Sequence, residues 1–345
     1  MRSIFHFLVL LVAAVACRQK PAVTKIAFGS CGHQSDPQPV LAIAAEQQPD
    51  AFIFLGDNIY GDTDVMDTLW SKYMRLASKP EFQQLKSATR IYAIWDDHDF
   101  GRNDAGKWYP WKKESKELFL RFFEEPENSE RRQHEGIYHT EYIETAGKRI
   151  QLLLLDVRTF RSDLLLFDKS NKELQERYFY PLDYQPHIST DSTLLGAAQW
   201  KWLEAELQKP ADLRLICSGS QFGIEFNGYE AWANFPHEQQ KMVDLIKKTK
   251  AEGILFLTGD VHYAEISKLE VPGLYPLYDI TSSGISSTWM FATPNKNRIE
   301  GPVMDNHIGL LTVEWSSDPS VKMEIIDKNR NSRIEHTIRL SELKW

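Results

Sequence analysis

The sequence has no basic block and no basic face interleaved with aromatic residues, and its formal net charge is −8. Electrostatics therefore disfavours a nucleic-acid polymer as partner, although a single nucleotide is not excluded. There is no repeat, no low-complexity tract and no linker long enough to divide the chain, which argues for one domain of 300-odd residues with ample apolar content for a large core. Cysteine is scarce: three residues, at positions 17, 31 and 217. A dense disulfide framework is thereby ruled out. Cys31 and Cys217 each end an apolar run. They could pair in an oxidising compartment, or Cys31 could serve a metal, because a metal-bound thiolate is not free to bridge.

The longest apolar run, Ile4 to Ala16, is too short to span a bilayer. With Arg2 before it and small residues after it, the run fits the core of an export signal. Ala14-Val15-Ala16-Cys17 resembles the lipobox of bacterial lipoproteins, with an ordinary soluble secretory signal as the alternative. The expectation is a signal peptide over residues 1–17 with a lipidated Cys17, a polar tether over 18–24 and one domain over 25–345. An exported, membrane-anchored lipoprotein of the periplasm or cell surface follows.

What the chain does contain is one design used several times. Ala51 to Leu55 is an apolar run that stops at Gly56 and Asp57, with Tyr60 three residues on. It reads as a buried strand delivering a carboxylate at its tip. Ile26 to Phe28 runs into Cys31, Ile91 to Trp95 into Asp96, Asp97, His98 and Asp99, Ile150 to Leu155 into Asp156 and Arg158, and Ile254 to Thr258 into Asp260 and His262. Each taken singly is an ordinary turn, cap or surface ion pair. Five strands ending in metal-ligand chemistry predict one site at one edge of a sheet.

Helical periodicity predicts helices over Pro37 to Gln48, Thr68 to Ser78, Lys113 to Phe123, Gly196 to Leu207 and Pro236 to Lys250. From about Tyr275 the pattern turns to strand, and Asp163 to Leu194 reads as an irregular insertion. Aromatics at 108, 109, 111, 229, 232 and 289 fall in loops near the candidate site, where they either pack or wall a cleft.

The series Phe28-Gly-Ser-Cys31, Leu55-Gly-Asp-Asn-Ile-Tyr60, Trp95-Asp-Asp-His-Asp-Phe-Gly-Arg-Asn-Asp104, Leu155-Asp-Val-Arg-Thr-Phe-Arg161, Leu195-Gly-Ala-Ala-Gln-Trp200, Trp232-Ala-Asn-Phe-Pro236 and Thr258-Gly-Asp-Val-His262 resembles the alkaline phosphatase D family of the calcineurin-like metallophosphoesterases, in order, over roughly Lys25 to Trp315. The resemblance implies an α/β fold, a four-layer αββα sandwich of two mixed sheets flanked by helices, with the site at the strand tips. It also implies hydrolysis of a phosphomonoester or phosphodiester by two metal ions, Fe3+ and Ca2+ in the pattern it follows.

Carried over, Asp57 bridges the ions; Cys31, Tyr60 and His262 complete the iron side, where thiolate, phenolate and imidazole are suitable donors. Asp97 and Asp260 bind the second metal as hard carboxylates. His98 lies beside the scissile group, and Arg158 clamps phosphate oxygens as a fork. The stretch before Ile26 is too short for the N-terminal β-sandwich that many relatives carry, and Trp108 to His139 and the segment after Arg161 match nothing assignable. The expected substrate is a small or lipid-linked phosphoester. Two rival readings are a phosphodiesterase or phospholipase-type enzyme acting on lipid headgroups or envelope polymers, and a non-catalytic metal-binding lipoprotein.

Overall fold

Central strands are buried along their whole length, as in Ala51–Leu55, Leu213–Ser218, Ile254–Thr258 and Leu277–Ser282. A strand with both faces covered needs a helix layer on one side and something equally apolar on the other. In the computed structural model, which describes residues 21–178 and 180–345, that second partner is another sheet.

The first sheet has six strands, in the spatial order Ser332–Arg339, Ser320–Asp327, His307–Trp315, Ala22–Gly29, Ala51–Leu55 and Arg90–Ile94. Its last three strands are parallel and the others antiparallel. The second has seven: Arg298–Val303, Ala264–Leu269, Leu277–Ser282, Ile254–Thr258, Leu213–Ser218, Lys148–Leu154 and His139–Thr145. Four of these, from Leu277–Ser282 to Lys148–Leu154, are parallel. Both sheets are therefore mixed, and helices flank them, as expected for the αββα sandwich. One large apolar core runs through the layers, with a small satellite cluster of Ile224, Ala231 and Ala233.

Parallel strands put their C-terminal ends on the same edge, and ligands bind in α/β sheets outside those ends. The two edges are joined where Ser30 N donates to Ser282 O at 3.0 Å and Ile285 N donates to Ser30 O at 3.0 Å. The tips of both sheets thus face one another.

Helices form at Pro39–Glu46, Met66–Ala77, Lys112–Phe122, Gly196–Leu207 and Pro236–Thr249, each within two residues of the predicted bounds. Pro236–Thr249 begins on proline and ends at Lys250, whose φ of 54° leaves the right-handed helix. The helix Pro80–Ala88 and the strand His139–Thr145 went unforeseen. That strand is half-buried at every position but the exposed Glu144, so it lacks the alternation that betrays an edge strand.

Two sequence boundaries need correction. The signal peptide, the lipidated Cys17 and the start of the tether lie outside the described residues. Ala22 to Thr24, read as tether, belong to the first strand and pair with Trp315, Glu314 and Val313. Cross-strand pairing overrides their unremarkable composition. The insertion is not wholly irregular either: Leu165–Leu166 pairs with Tyr184–Gln185, and Lys172–Arg177 is a short helix. Cys31 and Cys217 are both free and buried.

Candidate metal centre

Each predicted ligand follows a parallel strand by a few residues, and the backbone there is unusual. Cys31, Asp57, Asp260 and His262 have φ of 60°, 50°, 77° and 62°, a region that non-glycine residues rarely enter. Holding four such conformations costs free energy that the surrounding sheet edge must over-determine. Gly56 makes the approach possible, because a Cβ there would lie 2.5 Å from the Cβ of Asp96. The turns aim their side chains into one space between the two sheets.

On one side of this space the Cys31 sulfur lies 3.4 Å from Asp57 Oδ2 and 3.0 Å from Ser283 Oγ. The same hydroxyl accepts from the backbone N–H of His262 at 2.8 Å. His262 Nδ1 is 3.1 Å from Ser287 O, and its ring stacks on Trp289 with centroids 5.2 Å apart. Tyr60 completes the group, its ring 6.4 Å from that of His262 and 4.2 Å from that of His98. Burial, then the charge of Asp57, pushes the Cys31 thiol up, and burial pushes the Tyr60 phenol up as well. A cation in this space would reverse both tendencies.

On the other side Asp57, Asp96, Asp97 and Asp260 place carboxylate oxygens within 4.8 Å of one another. Burial, together with the neighbouring acids, pushes Asp57 and Asp260 well above the carboxylate range. Burial also raises Asp97, but Arg158 and His98 more than offset it and hold that carboxyl low. Three buried oxygens in this cluster, Asp57 Oδ1, Asp96 Oδ2 and Asp97 Oδ1, have no hydrogen-bond partner. Buried polar atoms are nearly always satisfied, and like charges so close repel. The residues fit cations: thiol, phenol and imidazole on one flank, hard carboxylates on the other, and Asp57 reaching both.

His98 sits at the rim. Its Nδ1 lies 2.8 and 2.9 Å from the two oxygens of Asp62, which also accepts from Asn103 N. Burial opposes the charged imidazole, yet the Asp62 hydrogen bond and the charge of Asp97 carry it up to about 9. Asp62, itself at φ 43°, went unnoticed in the sequence; the only signal was its place two residues after Tyr60.

Arg158 is placed differently from the expected phosphate clamp. It is 0% exposed, its Nε donates to Asp96, and its two terminal nitrogens donate to both oxygens of Glu230 at 2.8 and 2.7 Å. A guanidinium so enclosed offers no fork to the cleft. Its position instead sets Asp96, holds Glu230 and lies 3.7 Å from Asp97 Oδ1. Glu230 belongs to none of the motifs read in the sequence. It forms a second acidic group with Asp97 and Asp104, and Arg161 supports it from 3.5 Å.

Of the loop aromatics, Tyr229 and Trp289 line a cleft of about 180 Å³ over the metal-ligand cluster. Tyr109 and Trp232 are packed in the core, and Trp108 and Trp111 are exposed.

Residues 26–300 match the family model described as PhoD-like phosphatase. Among curated proteins, alkaline phosphatase D of Bacillus subtilis is 25% identical over 226 residues, an alignment covering 58% of this chain and 36% of that protein. The chain therefore spans well under half of that relative's length. Among solved structures, one described as PhoD superposes with a TM-score of 0.69 at 15% identity, covering 91% of this chain and 71% of that one. A dimetal phosphatase from Danio rerio gives 0.52 at 13% identity, covering 92% and 99%. At these identities the superpositions speak to fold.

Proposed function

The chain belongs to the PhoD-like phosphatase family, and from that premise we propose that it is a metal-dependent hydrolase of phosphoric esters. The observation that carries this reading is the set of buried, unpartnered carboxylate oxygens converging beside a thiol, a phenol and an imidazole. Cys31, Tyr60, His262 and Asp57 would hold one ion, and Asp57, Asp97 and Asp260 the other, with Fe3+ and Ca2+ the pair that best suits those donors. When bound, the ions supply Lewis acidity toward the phosphoryl oxygens and a water of lowered pKa.

The chain's own residues do the rest. His98, fixed through Nδ1 by Asp62, presents its other nitrogen as the acid for the leaving oxygen. The hydrogen bond to Asp62 favours the protonated ring that this role needs. Arg158 acts from beneath, holding Asp96 and Glu230 so that Asp97 keeps its charge and orientation. The buried position of the acids raises the strength of every electrostatic contact they make.

Elemental analysis of the purified chain, run beside assays with 4-nitrophenyl phosphate and bis(4-nitrophenyl) phosphate, tests the reading. Two equivalents of metal, hydrolysis of at least one ester and loss of hydrolysis on chelation are expected. Two equivalents with no hydrolysis of either would instead favour the non-catalytic metal-binding protein. The ratio of the two rates separates a monoesterase from a phosphodiesterase or phospholipase-type enzyme.

Export, and membrane attachment through Cys17 only, form part of the same proposal and rest on the lipobox-like Ala14 to Cys17. Among the described residues no helix is long and apolar enough to cross a membrane. Labelling of the chain by radioactive palmitate, lost in Cys17→Ser, is the expected result; retention of label in that variant would remove the anchor.

A further inference from the structure

The cleft over the ligand cluster has an outer wall lined by Asp183, Tyr184, Tyr229 and Trp289 and backed by Tyr180 and Phe291. Their rings form a connected series. Trp289 stacks on His262 and, 5.6 Å away on centroids, on Phe291. Tyr229 meets Trp289 edge-on at 5.3 Å and lies parallel to Tyr180, with planes 1° apart and centroids 6.0 Å apart.

The wall is also fixed. Tyr180 donates its hydroxyl to Asn227 O at 2.7 Å, and Tyr178 donates to Phe226 O at 2.6 Å. The N–H groups of Asp183 and Tyr184 both donate to Gly228 O at 3.0 Å. Because the hydroxyls of Tyr178 and Tyr180 are bound to backbone, these tyrosines serve the wall with ring surface rather than with polar groups.

The charge of the cleft is one-sided. Beyond the ligand acids its lining includes Asp104, Asp183 and Glu230, and among the described residues no lysine or arginine lines it. Glu230 already neutralises Arg158, and Asp104 accepts from Tyr184. Asp183 is exposed at the rim. A substrate with a second anionic group would meet carboxylates there, with no lysine or arginine to balance it and His98 already paired with Asp62. At about 180 Å³ the space is also smaller than the several-hundred-Å³ sites that take larger ligands.

We propose that this wall selects phosphoesters whose organic substituent is a single flat, uncharged ring, with Tyr229 as the attractive element and Asp183 as the element that rejects additional negative charge. The proposal rests on the hydrolase reading for its phosphoryl subsite, but the ring subsite is read from different residues.

Isothermal titration of the metal-loaded full chain with phenylphosphonate, methylphosphonate and 4-carboxyphenylphosphonate tests it without turnover. Phenylphosphonate should bind about tenfold more tightly than methylphosphonate, as a ring-on-ring contact in a half-buried site allows. Tyr229→Ala should bring that ratio close to one. The carboxylated ring should bind more weakly than the plain ring in the parent chain, and Asp183→Lys should reverse their order.

An unchanged phenyl-to-methyl ratio in Tyr229→Ala, or equal binding of the two rings by the parent, overturns the proposal. Phenyl phosphate and methyl phosphate assayed on the same samples separate the two ideas. Ring preference in binding with no hydrolysis of either ester would sink the hydrolase reading alone, and hydrolysis without ring preference would sink this one alone.

Discussion

Asp57 and Asp156 are near-twins in sequence and opposites in structure. Each ends an apolar run, each follows a parallel strand, and they are 1% and 0% exposed. Asp156 is saturated: it accepts from Trp95 Nε1 at 3.0 Å, from the backbone N–H groups of Ile137, Arg158 and Thr159 at 2.8, 2.9 and 2.9 Å, and from the Thr159 hydroxyl at 2.7 Å. Asp57 has an oxygen with no partner, in a cluster of other acids. A buried carboxylate given donors on all sides is a structural pin, whereas one denied them among like charges is waiting for a cation. The two strand tips therefore divide the labour, the one after Leu154 locking its turn and the one after Leu55 leaving ligand atoms free.

The largest test of this division is to neutralise each acid in turn. Asp57→Asn should lower turnover by about a thousandfold, since under the proposed function it removes a charge that both ions would share. The metal-free variant should be at least as stable as the parent, because a desolvated, unpaired carboxylate has been removed. Asp156→Asn should do the converse. It should lose roughly 3 kcal/mol of stability through its broken charge-assisted bonds, read as a melting temperature lower by roughly 4–5 °C. Its activity per folded molecule should fall far less than that of Asp57→Asn. If Asp57→Asn, stripped and re-metallated, turned over at the parent rate, the distinction would be void.

The sequence could not make this distinction, for a physical reason. The apolar-run-then-ligand motif reports where a strand stops and which side chain stands at its tip; four of the five tips bring their side chains together, and the fifth contributes Arg158 beneath them rather than Asp156. What each carboxylate meets is decided by partners distant in the chain: Ile137 and Trp95 for Asp156, Asp97 and Asp260 for Asp57. Arg158 illustrates the same limit. Its place after the strand at Leu154 was legible, but Glu230, the partner that encloses it, lies 72 residues away in a loop without a motif. Five helices and the strands that carry the ligand tips were read nearly to the residue, because burial writes its period into composition, whereas the helix Pro80–Ala88 and the strand Ala264–Leu269 were not read. The segments that build the wall carry no period: Tyr178 and Tyr180 tie one to the carbonyls of Phe226 and Asn227, and the Trp289 N–H ties another to His262 O, bonds that no short pattern records.

The middle-sized test concerns Asp62, the partner that turns His98 toward its task. Asp62→Asn should slow esters with poor alkyl leaving groups by about tenfold while affecting activated aryl esters little, since only the former need a proton delivered. A linear free-energy plot of rate against leaving-group pKa should steepen accordingly. Parallel losses on both kinds of ester would mean that Asp62 serves some part of the site other than the proton.

The smallest test asks whether a lone unsatisfied atom marks a site at all. His307 is fully buried, its Nδ1 lies 2.7 Å from Asp305 O, and its Nε2 has no partner, yet none of the acidic clusters includes it. Burial pushes its pKa down from 6.5 to about 4. Above about pH 6.5 the ring is neutral folded and unfolded; between there and about 4 only the unfolded chain takes the proton. Stability should therefore fall with pH across that window by roughly 3 kcal/mol. In His307→Gln the urea midpoint should change less between pH 7.5 and 4.5 than in the parent, with hydrolysis at pH 7.5 retained. Equal pH slopes would show that the ring is not held neutral. A large loss of activity would show that one unpartnered atom, without converging charges, is enough to mark a functional position.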